Sequence, residues 1–400
     1  MWYDKTPSTL HFLTNMFLKK KMKSLLYVTA GAATVFGGIC LYKEDGAFYR
    51  NIIMPIIHLL DAETAHNLGI FVSEHRLLPK TKYKDPAVLR VEVLGKVFPN
   101  PIGIAAGFDK DGRAIPGLKD MGFGFVEIGS VTPQPQPGNP KPRLFRLTED
   151  GAVINRYGFN SEGHNQVLPR IKYAKNNESV IVGVNLGKNK ISVDPVKDYV
   201  EGVEKFGPIA DYLVINISSP NTPNLRSLQS KENLKMLLQP IISSRDKLGV
   251  TKKPLIFLKL APDLSTEERK DISEVLKQKD CKVDGLIISN TTIHRPSLVS
   301  QHKNEIGGLS GEPLRDTSTE MIRELSRLTN GMPIIGVGGI TSGKDAYDKI
   351  KAGASLIQIY SALVYEGPPI VRKIKAELAD LLEQDGHKSI NEAVGKNARQ

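Results

Sequence analysis

The segment Asn216-Ile-Ser-Ser-Pro-Asn-Thr222 puts five polar side chains into seven residues where an apolar run, Tyr212-Leu-Val-Ile215, breaks off. The carboxamides of Asn216 and Asn221 each donate and accept, which suits a flat ligand with mixed edges. Ser219, between them, can act as a nucleophile or take a proton. A Ser/Asn/Pro turn is the plain alternative after any strand. Lys259 is a second chemical signal, because it sits inside the apolar run Phe257-Leu-Lys-Leu-Ala261. A buried ammonium is costly unless an anion faces it. A lysine that snorkels out to water is the competing explanation.

These residues need a scaffold that brings strand ends together. Eight short apolar runs follow residue 100, at 102–106, 125–129, 180–185, 212–217, 255–260, 285–289, 333–337 and 356–360. Amphipathic stretches at 194–206, 231–247, 266–279, 318–329 and 343–352 lie between them. Buried strands alternating with helices predict a (β/α)8 TIM barrel. A doubly wound open sheet is the rival, but the first strand runs into Ala105-Ala-Gly-Phe-Asp-Lys110, which is not a dinucleotide fingerprint. A hairpin is expected at 89–94 and 96–98 around Gly95. The long connection 130–178, with strand-like pieces at 143–147 and 152–155, predicts a cover over the strand ends.

In such a barrel the active site lies at the carboxyl ends of the strands. In chain order those ends offer Ala105, Ala106, Gly107 and Lys110, then Ser130, Asn185, the 216–222 segment, Lys259, Ser289-Asn290-Thr291, Gly338-Gly339 and Tyr360-Ser361. The last two pairs close strands seven and eight, the usual phosphate cradle of this architecture. Glycine lets backbone N–H groups approach an anion. A phosphate there and a lysine across the mouth suit a phosphorylated, planar, electron-rich cofactor, and flavin mononucleotide (FMN) fits.

Two cysteines, Cys40 and Cys281, exclude a disulfide framework and a cysteine metal cluster. The net charge is +11, of which residues 1–23 carry +4, from five lysines against Asp4. The rest is mixed in sign, so nothing resembles a nucleic-acid stripe. Residues 24–42 are uncharged and about the length of a membrane span. With the basic, acid-poor start they predict a mitochondrial presequence (1–23) followed by a retained transmembrane helix (24–42). A secretory signal peptide is the rival. Residues 48–78 predict two short amphipathic helices, the first interrupted at Pro55, that lie on the bilayer or pack on the domain. The barrel should occupy 88–395.

Several motifs together resemble the class 2 dihydroorotate dehydrogenases, membrane-bound flavoenzymes of pyrimidine synthesis. They are Gly103-Ile-Ala-Ala-Gly-Phe-Asp-Lys110, Glu127-Ile-Gly-Ser-Val-Thr-Pro133, Ile154-Asn-Arg-Tyr-Gly-Phe-Asn160, Gly183-Val-Asn-Leu-Gly-Lys-Asn189, Asn216 to Thr222, Gly307-Gly-Leu-Ser-Gly311 and Gly336-Val-Gly-Gly339. The resemblance spans residues 48 to about 395. Ser219 stands where class 1 members usually carry a cysteine base.

The resemblance implies oxidation of L-dihydroorotate to orotate in de novo UMP synthesis, with FMN as hydride acceptor and ubiquinone as final acceptor. It makes Ser219 the base, Thr222 its relay, and Lys259 the positive charge facing the flavin's pyrimidine end. Lys110 would pair with the orotate carboxylate, and Asn155, Asn216, Asn221, Asn290 and Thr291 would hold the ring's amide edges. Arg156, Tyr157, Gly158 and Phe159 would belong to a lid over the substrate. Ala105, Ala106, Gly107, Ser130, Asn185, Asn216, Lys259 and Ser289 would contact the flavin, and Gly311, Gly339, Tyr360 and Ser361 its phosphate. His66, Arg146 and Tyr360 would line the inner end of a quinone tunnel whose mouth is 48–78. The expected location is the inner mitochondrial membrane, single-pass, with the catalytic domain facing the intermembrane space. Membrane lipid is an expected partner; no nucleic acid, no metal and no obligate protein partner is expected. A flavin barrel acting on RNA would want a basic face and no anchor. A tethered barrel that only binds a nucleotide would leave Ser219 and Lys259 unexplained.

Overall fold

The structure, a computed structural model, describes residues 9–398. Residues 1–8 of the expected presequence lie outside the described residues. Among the described residues, eight parallel strands close into a barrel: β3 (Ile102–Ile104), β4 (Phe125–Val131), β7 (Ile181–Leu186), β8 (Tyr212–Asn216), β9 (Leu255–Leu260), β10 (Gly285–Ile288), β12 (Ile334–Val337) and β13 (Ala354–Ile359). β13 pairs back onto β3. The TIM barrel is therefore the fold. An antiparallel hairpin, β1 (Val91–Val93) and β2 (Lys96–Phe98), precedes it, with Leu94 and Gly95 at the turn.

The amino ends of the strands close by a size alternation written into the sequence. Gly103 pairs with Phe125, Gly183 with Tyr212 and Gly285 with Phe257. A Cβ on any of these glycines would sit within 2.4 Å of the facing ring. Phe98, Phe125, Tyr212 and Phe257 stack in sequence, with centroids 5.4 to 6.4 Å apart, and plug that end. Chemistry is thus confined to the other end. The helices bury one stripe each. In Lys231–Lys247 the buried positions are Leu234, Leu237, Leu238, Ile241 and Ile242, a 3.6-residue repeat. Ser265 and Glu268 form a capping box that starts Thr266–Leu276.

The 130–178 connection is shorter as a cover than expected, because its last part, His164–Asn177, is the barrel's own crossover helix. The cover contributes β5 (Leu144–Leu147) and β6 (Ala152–Asn155). A third strand, β11 (Gly308–Gly311), pairs antiparallel with β6. It comes from the connection after β10, a glycine-rich stretch without strand alternation in the sequence. Phe145, Leu147, Ala152, Ile154, Leu298 and Leu309 form a separate small core under this sheet.

A single helix runs from Thr9 to Tyr42, through the lysine cluster. Its Met16–Tyr42 stretch is long and apolar enough to cross a membrane, with mean hydropathy 1.7 over an 18-residue window. The boundary expected at residue 24 is therefore not a break in structure. At its end, Lys82 lies 3.4 Å from the Tyr42 ring centroid, and Phe36 meets Phe48 edge-on.

Pro55 does not interrupt the next helix. Gly46–Phe48 runs through a π turn, Tyr49–Ile53, into Met54–His58. Proline lacks the N–H that an α turn would use, and the wider turn just before it accommodates this. Asp61 then caps Ala62–Glu74 by accepting from the N–H groups of Glu63 and Thr64 at 3.0 and 3.1 Å. The two segments carry apolar side chains on two sides. Ile52, Ile56, Leu59, Leu60, Leu68 and Phe71 are exposed. Ile53, Ile57, Ala65, Gly69 and Val72 face an internal cavity.

Candidate active site

One continuous cavity of about 420 Å³ runs from the helical segments 49–73 to the carboxyl ends of the barrel strands. Its floor is a polar layer directly above the aromatic plug. Glu127 of β4 is fully buried and accepts from Asn185 Nδ2 (2.9 Å), Tyr212 Oη (3.3 Å) and Gln358 Nε2 (2.6 Å). Lys259 Nζ stands 3.9 Å from its Oε1. Burial lowers the Lys259 pKa, and the Glu127 charge opposes this. The ammonium makes no hydrogen bond to the described residues, so its donors remain available to the cavity it lines. The buried lysine thus has a protein counter-charge, Glu127, which sequence reasoning missed. Gln358 was missed with it; both lie inside apolar strands.

Above the floor, side-chain amides hold one another. Asn216 Nδ2 donates to Ser130 Oγ (2.8 Å) and Asn185 Oδ1 (3.1 Å). Its Oδ1 accepts from Ser218 Oγ (3.0 Å) and Asn290 Nδ2 (3.3 Å). Ser130 Oγ closes the set onto Asn185 Oδ1. Ser219 is nearly buried yet reaches the cavity, and its Oγ accepts from Asn221 N at 3.3 Å. Asn221 Nδ2 in turn donates to the backbone oxygen of Asn155 (3.1 Å), at the end of β6. The Thr222 hydroxyl is buried with no hydrogen-bond partner among the described residues. Arg226 braces this loop. It donates to Ser218 O and Thr291 O, both at 2.9 Å, and pairs with Asp263 at 2.6 Å.

Lys110 stands at the side wall. Its Nζ donates to Gly107 O (2.9 Å) and lies 3.9 Å from the Tyr157 ring centroid. Burial lowers its pKa to about 8, with Arg143 adding to the effect and Asp111, Glu63 and Asp109 opposing it. Arg143 also faces Tyr157 and forms a buried pair with Glu63 at 2.8 Å. Further out, His66 Nδ1 is 3.4 Å from Tyr360 Oη, and burial holds the imidazole well below its usual pKa. Arg146 reaches the cavity, but its Nη2 donates at 2.8 Å to His58 O, bracing the break between the two helical segments.

The glycine turn after β12 has a different logic from the expected one. A Cβ on Gly339 would meet the Arg315 backbone at 2.6 Å, and one on Gly311 would meet Gly151 O at 2.3 Å. Both have positive φ, 67° and 99°. Packing against protein, and not only room for a ligand, demands glycine here. The N–H groups of Gly338, Gly339, Ile340 and Ser361 have no hydrogen-bond partner among the described residues, and all four residues line the cavity. That is a ready anion site.

Most of the residues read from sequence meet in this one cavity: Ala105, Ala106, Gly107, Lys110, Ser130, Asn155, Tyr157, Gly158, Phe159, Asn216, Ser219, Asn221, Lys259, Ser289, Asn290, Thr291, Gly311, Gly339, Tyr360, Ser361, His66 and Arg146. Three do not line it. Asn185 and Thr222 are buried behind the wall. The third is Arg156, whose guanidinium turns outward to Glu305, at 2.6 Å.

A (β/α)8 barrel with a buried lysine, an amide-rich floor and unpaired backbone N–H groups at its strand ends has the architecture of an enzyme site. Residues 88–382 match the family model described as dihydroorotate dehydrogenase. The chain belongs to the dihydroorotate dehydrogenase family, in its class 2 branch. The mouse mitochondrial dihydroorotate dehydrogenase (quinone) is 49% identical over 391 residues, covering 96% of this chain and 98% of the relative. The Rhodospirillum rubrum dihydroorotate dehydrogenase (quinone) is 51% identical, over 88% and 95% of the two chains. The crystal structure of the Eimeria tenella enzyme in complex with ferulenol superposes with a TM-score of 0.83 at 41% identity, covering 86% of this chain and 99% of that one.

Proposed function

We propose that this protein oxidises L-dihydroorotate to orotate with FMN as hydride acceptor and ubiquinone as final electron acceptor, in UMP biosynthesis. The observation that carries the reading is a single cavity joining Ser219 and Lys259 to an apolar opening between two helical segments. The residues present fit a phosphorylated flavin, with a lysine whose donors are free at one end and unpaired N–H groups on two loops. Lys259 and the floor amides would hold its ring, and the turns at 311, 338–339 and 360–361 its phosphate. Bound FMN supplies hydride acceptance from C6 of the substrate and electron transfer to the quinone.

The protein's own groups do the rest. Ser219 takes the C5 proton. A free serine hydroxyl is a weak base at neutral pH, so the proton must move on. The unpaired, buried Thr222 hydroxyl is the candidate next acceptor. Lys110 pairs with the substrate carboxylate, and Asn155, Asn221, Asn290 and Thr291 orient the ring. The Asn216 amide is spent on Ser130, Asn185, Ser218 and Asn290, so its role is to fix those partners. Lys259 offers a fixed positive charge where negative charge grows on reduction. The 132–163 cover excludes water. Quinone enters between the segments at 46–58 and 62–74, whose exposed apolar side chains lie in the bilayer. Residues 1–23 act as the presequence, the 24–42 part of the long helix spans the inner mitochondrial membrane, and the barrel faces the intermembrane space.

The test is the visible spectrum of the detergent-solubilised full chain, without oxygen. Flavin absorbance should fall on adding L-dihydroorotate and return with a short-chain quinone, but not with fumarate or NAD. Flavin that is present but does not respond to dihydroorotate would sink the substrate assignment while leaving the cofactor.

A further inference from the structure

Lys349 is a conspicuous unexplained residue outside the site. It is completely buried, on the helix Gly343–Ala352, and no carboxylate oxygen lies within ion-pair distance of it. Its Nζ donates to Arg315 O (3.1 Å), Thr319 Oγ1 (2.8 Å) and Ser318 Oγ. Ser318 Oγ is 3.2 Å from Gly338 O. Arg315 Nε donates to Gly339 O at 2.9 Å and pairs with Asp345 Oδ1 at 3.0 Å. Asp345 Oδ2 takes the Thr341 N–H (3.0 Å) and the Ser342 hydroxyl (2.8 Å). The carbonyls of the 338–339 turn are therefore gripped from behind by Arg315 and by Ser318, which Lys349 holds in turn, while its N–H groups stay unpaired toward the cavity. Arg315 is partly exposed and has two counter-charges, Asp345 and Glu312 (3.1 Å), whereas the buried Lys349 has none within ion-pair distance among the described residues. A lone buried ammonium is expensive unless an anion completes it.

We propose that Arg315 and Lys349 are positioning residues for the anion cradle. They aim the Gly338 and Gly339 N–H groups into the cavity, and Lys349 adds behind the turn an unpaired positive charge whose partner is the flavin's phosphate. This rests on the flavin reading above. The titration of Lys349 agrees with the geometry. Burial, with Arg315 adding to it and Asp345, Asp316 and Asp348 opposing, lowers it to about 7. A bound phosphate across the turn would favour the charged form.

The test compares FMN with riboflavin, which lacks the phosphate. Wild-type holoenzyme and the Lys349→Met, Lys349→Arg and Arg315→Gln variants are exchanged into each flavin, and dissociation is followed by the rise in flavin fluorescence. Lys349→Met should release FMN on the order of tenfold faster, as loss of one partly shielded charge predicts. Riboflavin release should change by less than about twofold, because no phosphate feels the missing charge. Lys349→Arg should restore the preference. Equal acceleration for both flavins would reduce Lys349 to a packing residue and overturn the proposal. If Lys349→Met does not fold, Arg315→Gln reads the same ratio, and an unchanged ratio there overturns it as well. A wild-type chain that binds neither flavin would refute the flavin reading instead.

Discussion

At the barrel end of the cavity, Asn216 alone engages Ser130, Asn185, Ser218 and Asn290 through its side chain. At the helical end, the same cavity is bounded by Ile53, Ile57, Ala65, Gly69 and Val72, with the His58–Val364 and Arg146–His58 bonds bracing it. Directional contacts fix positions to a few tenths of an ångström, and proton and hydride transfer require that. Apolar contact is nearly additive in area and tolerates change of shape, which suits a mobile, greasy acceptor. Single substitutions should therefore act steeply at one end and gradually at the other.

Ser219→Ala should have the largest effect. Anaerobic flavin reduction by dihydroorotate should slow by about 10² to 10⁴, the usual worth of a positioned base. Flavin content should stay unchanged. Reduction at near wild-type rate would remove Ser219 from the chemistry. Lys110 comes next, through pH. Its pKa of about 8 means that the ammonium, the proposed partner of the substrate carboxylate, is lost as pH rises through 8. Dihydroorotate kcat/KM, which reports the free enzyme, should fall by roughly tenfold per unit above that point. In Lys110→Met this alkaline limb should vanish, and KM should rise by about 100-fold, as for removal of a charge-assisted contact.

Glu63→Gln probes the joint between the two ends. Glu63 sits on the outer helix Ala62–Glu74, and its buried partner Arg143 faces Tyr157 and carries the 137 and 139 carbonyls of the cover. Breaking such a pair by one partner costs on the order of 3 kcal/mol. Thermal unfolding should shift down by several degrees, and both half-reactions should slow together. A defect confined to the quinone step would show that the two ends are mechanically independent.

The same contrast explains what could be read in advance. The barrel end was legible because eight strand ends and one positional rule bring residues as distant as Lys110 and Ser361 into one wall. Glu127 and Gln358 were not, because a polar residue inside an all-buried strand carries no local sign of its partner. β11 was missed since Gly308–Gly311 has no alternation and gains its strand only by pairing with β6. At the helical end, periodicity located a stripe but could not divide it, because both of its sides carry apolar side chains.

That undivided stripe yields the last and smallest prediction. Ile53 and Ile57 face the cavity, while Ile52 and Ile56 face outward. Ile57→Ala should raise the KM for a long-tailed quinone by about 3- to 30-fold, the worth of a few buried methylenes. The rate of flavin reduction by dihydroorotate should not change. Ile56→Ala should leave both steps unchanged with a water-soluble short-chain quinone, and weaken only binding to phospholipid vesicles. The ordering matters more than the sizes. If Ile56→Ala impaired the short-chain reaction as much as Ile57→Ala, the outer side chains would line the quinone path themselves. The distinction between a cavity side and a bilayer side of this helix would then fail.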